Sequence, residues 1–169
     1  MDSLQETWEV FWEIYNDSFP EDEKRNLQAQ KRLLDNPKYK ILPYKAKNET
    51  IGFCTVWELG DFLYVEHAAT HQKVRGKGHG EKMYQGLIKE YPTKIVLEVE
   101  PPDTEIAKRR INFYQRLGFK LNSYDYVQPA YDESKKPVPL MIMSYPNNLV
   151  KDEFVDVRDT LYEQVHGLK

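Results

Sequence analysis

Gln72-Lys73-Val74-Arg75-Gly76-Lys77-Gly78-His79-Gly80 is the stretch on which the reading of this chain turns. It follows an apolar run, Phe62 to Ala69, with the composition of a strand. It opens the segment from about Gly78 to Glu90, where Met83, Leu87 and Ile88 recur at helical spacing. A glycine-bearing turn between strand and helix has a physical use. Missing Cβ atoms at 76, 78 and 80 let a ligand approach the backbone, and successive N–H groups at a helix N-terminus form a positive concavity suited to phosphate. Lys73, Arg75 and Lys77 add mobile charge beside it. Two nucleotide motifs fail here. A P-loop needs Gly-Lys-Ser/Thr, but Gly76-Lys77 is followed by Gly78. The dinucleotide fingerprint needs G-x-G-x-x-G at the opening of a βαβ unit, and these glycines are spaced G-x-G-x-G.

Upstream of the turn, Leu4 to Tyr15 carries Trp8, Phe11, Trp12 and Tyr15 on a helical stripe, broken by Phe19-Pro20. The acids Glu21, Asp22 and Glu23 suit the first turn of a second helix, which ends near Asn36-Pro37. Tyr39 to Ala46, Thr50 to Glu58 and Phe62 to Ala69 then read as an antiparallel meander, with tight turns at Asn48-Glu49 and Gly60-Asp61. Downstream come a buried strand (Lys94 to Glu100), a helix (Thr104 to Leu117) stopped by Gly118, and strands at Phe119 to Val127 and Val138 to Tyr145. A terminal helix over 151–166 closes the chain and is a candidate dimer surface. The order predicts one α+β, or mixed α/β, domain over residues 1–169.

The turn resembles the Q/R-x-x-G-x-G/A signature of the GNAT superfamily of N-acetyltransferases, read here as Arg75-Gly-Lys-Gly78-His-Gly80. A second hallmark is similar to Asn112-Phe-Tyr-Gln-Arg-Leu-Gly-Phe119, with the register slipped by one at the tyrosine. The likeness covers about residues 40–145. It implies a central, mostly antiparallel sheet with a splayed strand pair, flanked by helices. It further implies acetyl-coenzyme A as co-substrate, gripped by the amides of Arg75, Gly76, Lys77, Gly78, His79 and Gly80. Ala68, Ala69 and Thr70 would run along the pantetheine arm, and Asn112 and Tyr114 would lie beside the cofactor.

Direct acetyl transfer to an amine needs the thioester held, a proton taken from the acceptor ammonium, and a donor for the departing thiolate. The resemblance places the Tyr114 phenol near the sulfur as that donor. Two carboxylates compete for the base. Glu66 lies in the splayed strand, where alternation puts it with Tyr64 and Ala68 and turns His67 away. Glu98 lies in the next strand and resembles the glutamate of ribosomal-protein N-acetyltransferases. Acceptor choice falls to the first two helices and to Tyr126-Val-Gln-Pro-Ala-Tyr131, with Glu21, Asp22 and Glu23 either capping a helix or drawing in a cation. Lys108-Arg109-Arg110 is a solvated face or a contact for the nucleotide 3′-phosphate. The other class of reading is a sensor that binds acyl-coenzyme A without turning it over.

Composition narrows the rest. With 40% apolar and 30% charged residues the chain reads as globular, and a net charge of -3 offers no general pull toward nucleic acid or an anionic membrane. No apolar run approaches the ~20 residues of a membrane span. A single cysteine, Cys54, forms no internal disulfide, and no signal peptide is read, so a cytoplasmic location is expected. The four histidines lack ligand spacing, and no metal is expected. The acceptor is expected to be a small-molecule or peptide amine.

Overall fold

The computed structural model describes residues 4–168; residues 1–3 and 169 of the expected single domain lie outside the described residues. Helix α1 (Leu4–Ser18) is followed by a 3-10 turn at Glu21–Glu23, helix α2 (Leu27–Arg32) and a second 3-10 turn at Leu33–Asp35. Strands β1 (Tyr39–Ala46), β2 (Glu49–Glu58) and β3 (Phe62–Thr70) precede α3 (His79–Glu90) and β4 (Lys94–Val99). Helix α4 (Glu105–Arg116), strands β5 (Lys120–Gln128) and β6 (Val138–Tyr145), and α5 (Lys151–Thr160) complete the order. The six strands form one sheet in the order β1-β2-β3-β4-β6-β5, with β3 and β4 the parallel pair and every other pair antiparallel.

Both sheet faces are covered, which is why the central strands are apolar on successive residues. On one face Leu63, Val65, Ile95 and Leu97 pack with Met83 and Leu87 of α3 and Ile111 of α4. On the other, Trp57, Tyr64, Val96 and Ile142 pack with Phe154, Val157 and Leu161 at the C-terminal end. Helix α1 lays Phe11, Ile14 and Tyr15 on Phe53 of β2, the Phe11 and Phe53 rings meeting edge-on at 4.6 Å.

Three expectations need correcting. The acids Glu21, Asp22 and Glu23 do not begin a long second helix. Lys24 is extended and Asn26 caps a separate short helix, its Oδ1 accepting from the Ala29 N–H at 2.8 Å. Tertiary contacts override the local pattern: Lys24 and Arg25 are buried, Lys24 Nζ donates to Asn16, and the Arg25 N–H donates to the Tyr15 hydroxyl at 2.6 Å. The first hairpin turns at Lys47-Asn48, one residue earlier than predicted, with positive φ at both. The terminal helix is regular only to Thr160 and widens to π-type turns over Leu161–Val165.

Candidate active site

β3 and β4 pair only from Phe62↔Lys94 to Val65↔Leu97; beyond that β3 continues to Thr70 and β4 to Val99 without pairing to each other. A bulge drives the separation. Val56 faces Val65 while Thr55 faces His67, so Glu66 is the extra residue on β3. The bulge also breaks the alternation expected for this strand. Tyr64 packs with Trp57, Ala68 packs in the α3–α4 layer, and Glu66 and His67 turn to the same side as Tyr15 and Trp57. The separated ends border a cleft of about 400 Å3, into which Glu66 to Thr70, Glu98 and Tyr114 all face.

The two glutamates occupy opposite electrostatic settings. Glu66 accepts from Arg25 Nη1 at 2.8 Å, the Trp57 indole N–H at 2.9 Å and the Tyr131 hydroxyl at 2.5 Å, with Arg25 Nη2 in ion-pair contact at 2.8 Å. Burial is the largest influence and raises its pKa, but the Arg25 charge, His67 and the hydrogen bonds from Arg25 and Tyr131 together outweigh burial and hold it at about 2. Such a carboxylate is a weak proton acceptor. Glu98 has no ion-pair partner among the described residues. Its Oε1 accepts from the Tyr64 hydroxyl and from Gln128 Nε2 at 2.9 Å, and its Oε2 accepts from Tyr126 at 2.6 Å. Burial raises it to about 7; the three neutral donors lower it only in part, and Glu66 adds repulsion. A carboxylate poised there exchanges protons at neutral pH.

Tyr114 enters from α4 on the other wall. Its hydroxyl lies 3.1 Å from that of Tyr84, and burial lifts both phenols above their ordinary value, so both stay protonated at neutral pH. Asn112, expected beside the cofactor, is exposed and off the cleft lining; Arg110 and Phe113 of the same helix line it instead. Lys108, Arg109 and Arg110 are all exposed, and of the three only Arg110 borders the cleft.

The turn has a built backbone. Gly76 and Gly78 sit at φ +82° and +80°, a region that side-chain-bearing residues rarely enter, and nothing lies within 4 Å of where a Cβ would stand. Gly78 is the N-cap of α3, whose first N–H groups have no carbonyl within the helix to bond. Gly80 is different: a Cβ there meets only Phe113, at an ordinary 3.5 Å. Arg75 braces the turn, donating from Nε to the Thr70 carbonyl at 3.2 Å and to Ser18 Oγ at 3.1 Å. Lys73 is engaged by Glu49 and Lys77 is exposed, while His79 Nδ1 lies 3.3 Å from the Tyr44 hydroxyl.

The sequence profile described as "Acetyltransferase (GNAT) family" matches residues 4–119, more than half of the chain. The chain belongs to the GNAT acetyltransferase family. A solved structure from Bacteroides thetaiotaomicron, assigned to the same family, is 36% identical with a TM-score of 0.91, covering 96% of this chain and 93% of that one. The ribosomal-protein-S18-alanine N-acetyltransferase from Escherichia coli shares the fold at 15% identity and TM-score 0.61, with coverage of 89% and 94%. A GNAT family acetyltransferase from Elizabethkingia anophelis, solved with acetyl-CoA bound, does so at 13% identity and TM-score 0.57, with coverage of 79% and 88%. No protein of curated function matches the chain in sequence.

Several groups around this acetyltransferase's cleft were not singled out in sequence. Arg25 and the paired role of Tyr131 are absent from any local pattern, because 41 residues separate Arg25 from Glu66 and 65 separate Tyr131 from it. Tyr126 and Gln128 carried a readable signal: they share one face of a strand in the stretch assigned to acceptor choice. Glu21 pairs with Lys24 and Lys135, and Asp22 accepts from the Lys136 N–H at 3.0 Å, so these acids latch the β5–β6 loop. Cys54 is buried and pushed up to about 12, which leaves no thiolate for chemistry. Among the described residues no helix is long and apolar enough to cross a membrane, and no cluster of three or more candidate ligands is placed to hold a metal.

Proposed function

We propose that this acetyltransferase moves the acetyl group of acetyl-coenzyme A directly onto an amine, with Glu98 as general base and Tyr114 as proton donor. The setting of Glu98 carries the reading: a carboxylate ringed by neutral donors, lifted to about 7, where β4 has parted from β3. Glu66 then holds the bulge and the β5–β6 loop through Arg25 and Tyr131 rather than moving protons.

The cleft fits the co-substrate. The positive-φ turn at Gly76 and Gly78, with open space above both, and the α3 N-terminus suit a diphosphate. The stretch of β3 that leaves β4, Ala68 to Thr70, offers an edge to an amide-bearing arm. The thioester supplies an activated carbonyl on sulfur. Glu98 takes a proton from the acceptor ammonium, whose own pKa is about 10. The Tyr114 O–H, 3.1 Å from Tyr84, gives a proton to the departing sulfur. The buried Cys54 is compatible with the reducing cytoplasm we propose as its location.

Purified protein mixed with acetyl-coenzyme A and a panel of primary amines should release free thiol in step with acetylated amine. Coenzyme binding without amine-dependent release would instead favour the sensor reading.

A further inference from the structure

Resting on that acetyl-transfer reading, we infer that the acceptor is a primary amine carrying a second positive charge, its reacting nitrogen held at Glu98 and Gln128 and its second cation between Glu23 and Glu100.

Gln128 supplies the first observation. It is only 4% exposed, lines the cleft, and donates its Nε2 to Glu98 Oε1. That bond fixes the amide orientation, because a carboxylate accepts. The amide oxygen of Gln128 is consequently buried without a partner. An orphaned carbonyl in such a place is costly, and as a pure acceptor it lacks only an N–H or O–H donor. An ammonium drawn to Glu98 brings several N–H groups to the same place.

The second observation is independent. Glu23 and Glu100 both line the cleft, both are half-buried, and neither carboxylate makes a hydrogen bond or ion pair among the described residues. They come from different segments, the 3-10 turn and the residue just after β4, and Glu23 is pushed up by burial and then by Glu100. Their neighbours behave otherwise: Glu21 and Asp22 are fully used in latching Lys24, Lys135 and Lys136. Arg75 and Arg110 also line the cleft, two positive charges against Glu23, Glu100 and Glu98, so the cleft keeps an excess of negative charge once Glu98 is ionised. Two carboxylates in one cleft that form no ion pair or hydrogen bond among the described residues fit a cation brought by the substrate.

A ladder of α,ω-diamines, each compared with the monoamine of equal chain length, tests this at low ionic strength. The best diamine should exceed its monoamine in kcat/KM by about tenfold or more, ~1.4 kcal/mol. In the Glu23→Gln/Glu100→Gln double variant the ratio should fall below about threefold; a ratio cancels any general loss of turnover. Gln128→Leu should raise KM for the amine about tenfold, with coenzyme A affinity by calorimetry verifying the fold. Equal rates for monoamines and diamines, or a preference for amino acids or peptide N-termini, overturn this inference and leave acetyl transfer standing. Failure of every amine to release thiol overturns both.

Discussion

Replacing Glu98 with Gln removes the proposed base while keeping a side chain of the same shape among Tyr64, Tyr126 and Gln128. The effect on rate follows from two pKa values. In the wild type, kcat/KM should climb about tenfold per pH unit below the inflection set by Glu98 near 7, then level off until the ammonium itself titrates. Without the base only the free amine can attack. With an amine pKa of about 10 the free fraction at pH 7 is ~10⁻³, and it grows tenfold per unit. The variant should therefore lose about 10²–10³ at pH 7, within the usual ~10²–10⁴ of general base catalysis, and almost nothing near pH 10. The assay is thiol release across pH 5.5 to about 10 in buffers of constant ionic strength, with coenzyme A affinity as the check on folding. A constant fractional loss at every pH, or an inflection near 7 that survives the substitution, would refute the assignment of the proton to Glu98.

Tyr114→Phe should lower turnover about tenfold or more while leaving coenzyme affinity little changed, measured by single-turnover kinetics beside calorimetry. Gly78→Ala forces a methyl group into a φ of +80°, a cost of ~1–2 kcal/mol; coenzyme affinity should fall, and Gly80→Ala, with its ordinary 3.5 Å neighbour, should weaken binding less. Arg25→Met strands a buried carboxylate and should cost ~3–5 kcal/mol in urea unfolding, whereas Arg25→Met combined with Glu66→Gln should recover part of it; equal losses in both would argue against the pair. The low pKa of Glu66 gives stability that is complete above about pH 4.5 and lost as pH falls toward 2. His166 has no partner for either ring nitrogen, and burial holds it at about 4. Its contribution is present above about pH 6.5 and lost as pH falls through 4, so His166→Phe, packed on the Tyr131 ring, should gain on the order of 1–3 kcal/mol over wild type by pH 4. Thermal melts of both proteins across that range measure it.

What the sequence disclosed was whatever depends on near neighbours. The turn at 75–80, the meander and the helix ended by Gly118 rest on glycine and apolar spacing within a dozen residues, and they stand where expected. The second helix was misread because its deciding contacts, Tyr15 and Glu66 for Arg25 and Asn16 for Lys24, lie outside the window that propensity can see. The bulge was invisible for a related reason. An extra residue on β3 leaves no mark in its own apolar pattern, yet it moves Ala68 to the opposite layer from Tyr64 and brings His67 to the side of Glu66. Two candidate bases could be named from sequence, but their difference could not, since it is set by partners from β2, the β5–β6 loop and the α1–α2 connection.

That difference shows how one sheet obtains two chemistries from one residue type. Glu66 and Glu98 lie on adjacent strands, just past the last paired residues, and each accepts hydrogen bonds from tyrosine. What separates them is a single guanidinium. Arg25 forms an ion pair with Glu66 and stacks its charge over Tyr131, 4.6 Å from the ring centre, which ties the α1–α2 connection and the β5–β6 loop to the bulge. A fixed charge at Glu66 then helps to raise its neighbour, because a second anion in the same low-dielectric wall is costly. On the proposed roles stability and catalysis are thereby coupled: the ion pair that holds the β5–β6 loop also helps to set the proton affinity of Glu98. Environments that push two like groups apart are a recurring way of assigning acid–base roles. Here Arg25→Met combined with Glu66→Gln should lower the catalytic inflection below 7, a shift that a purely structural ion pair would not produce.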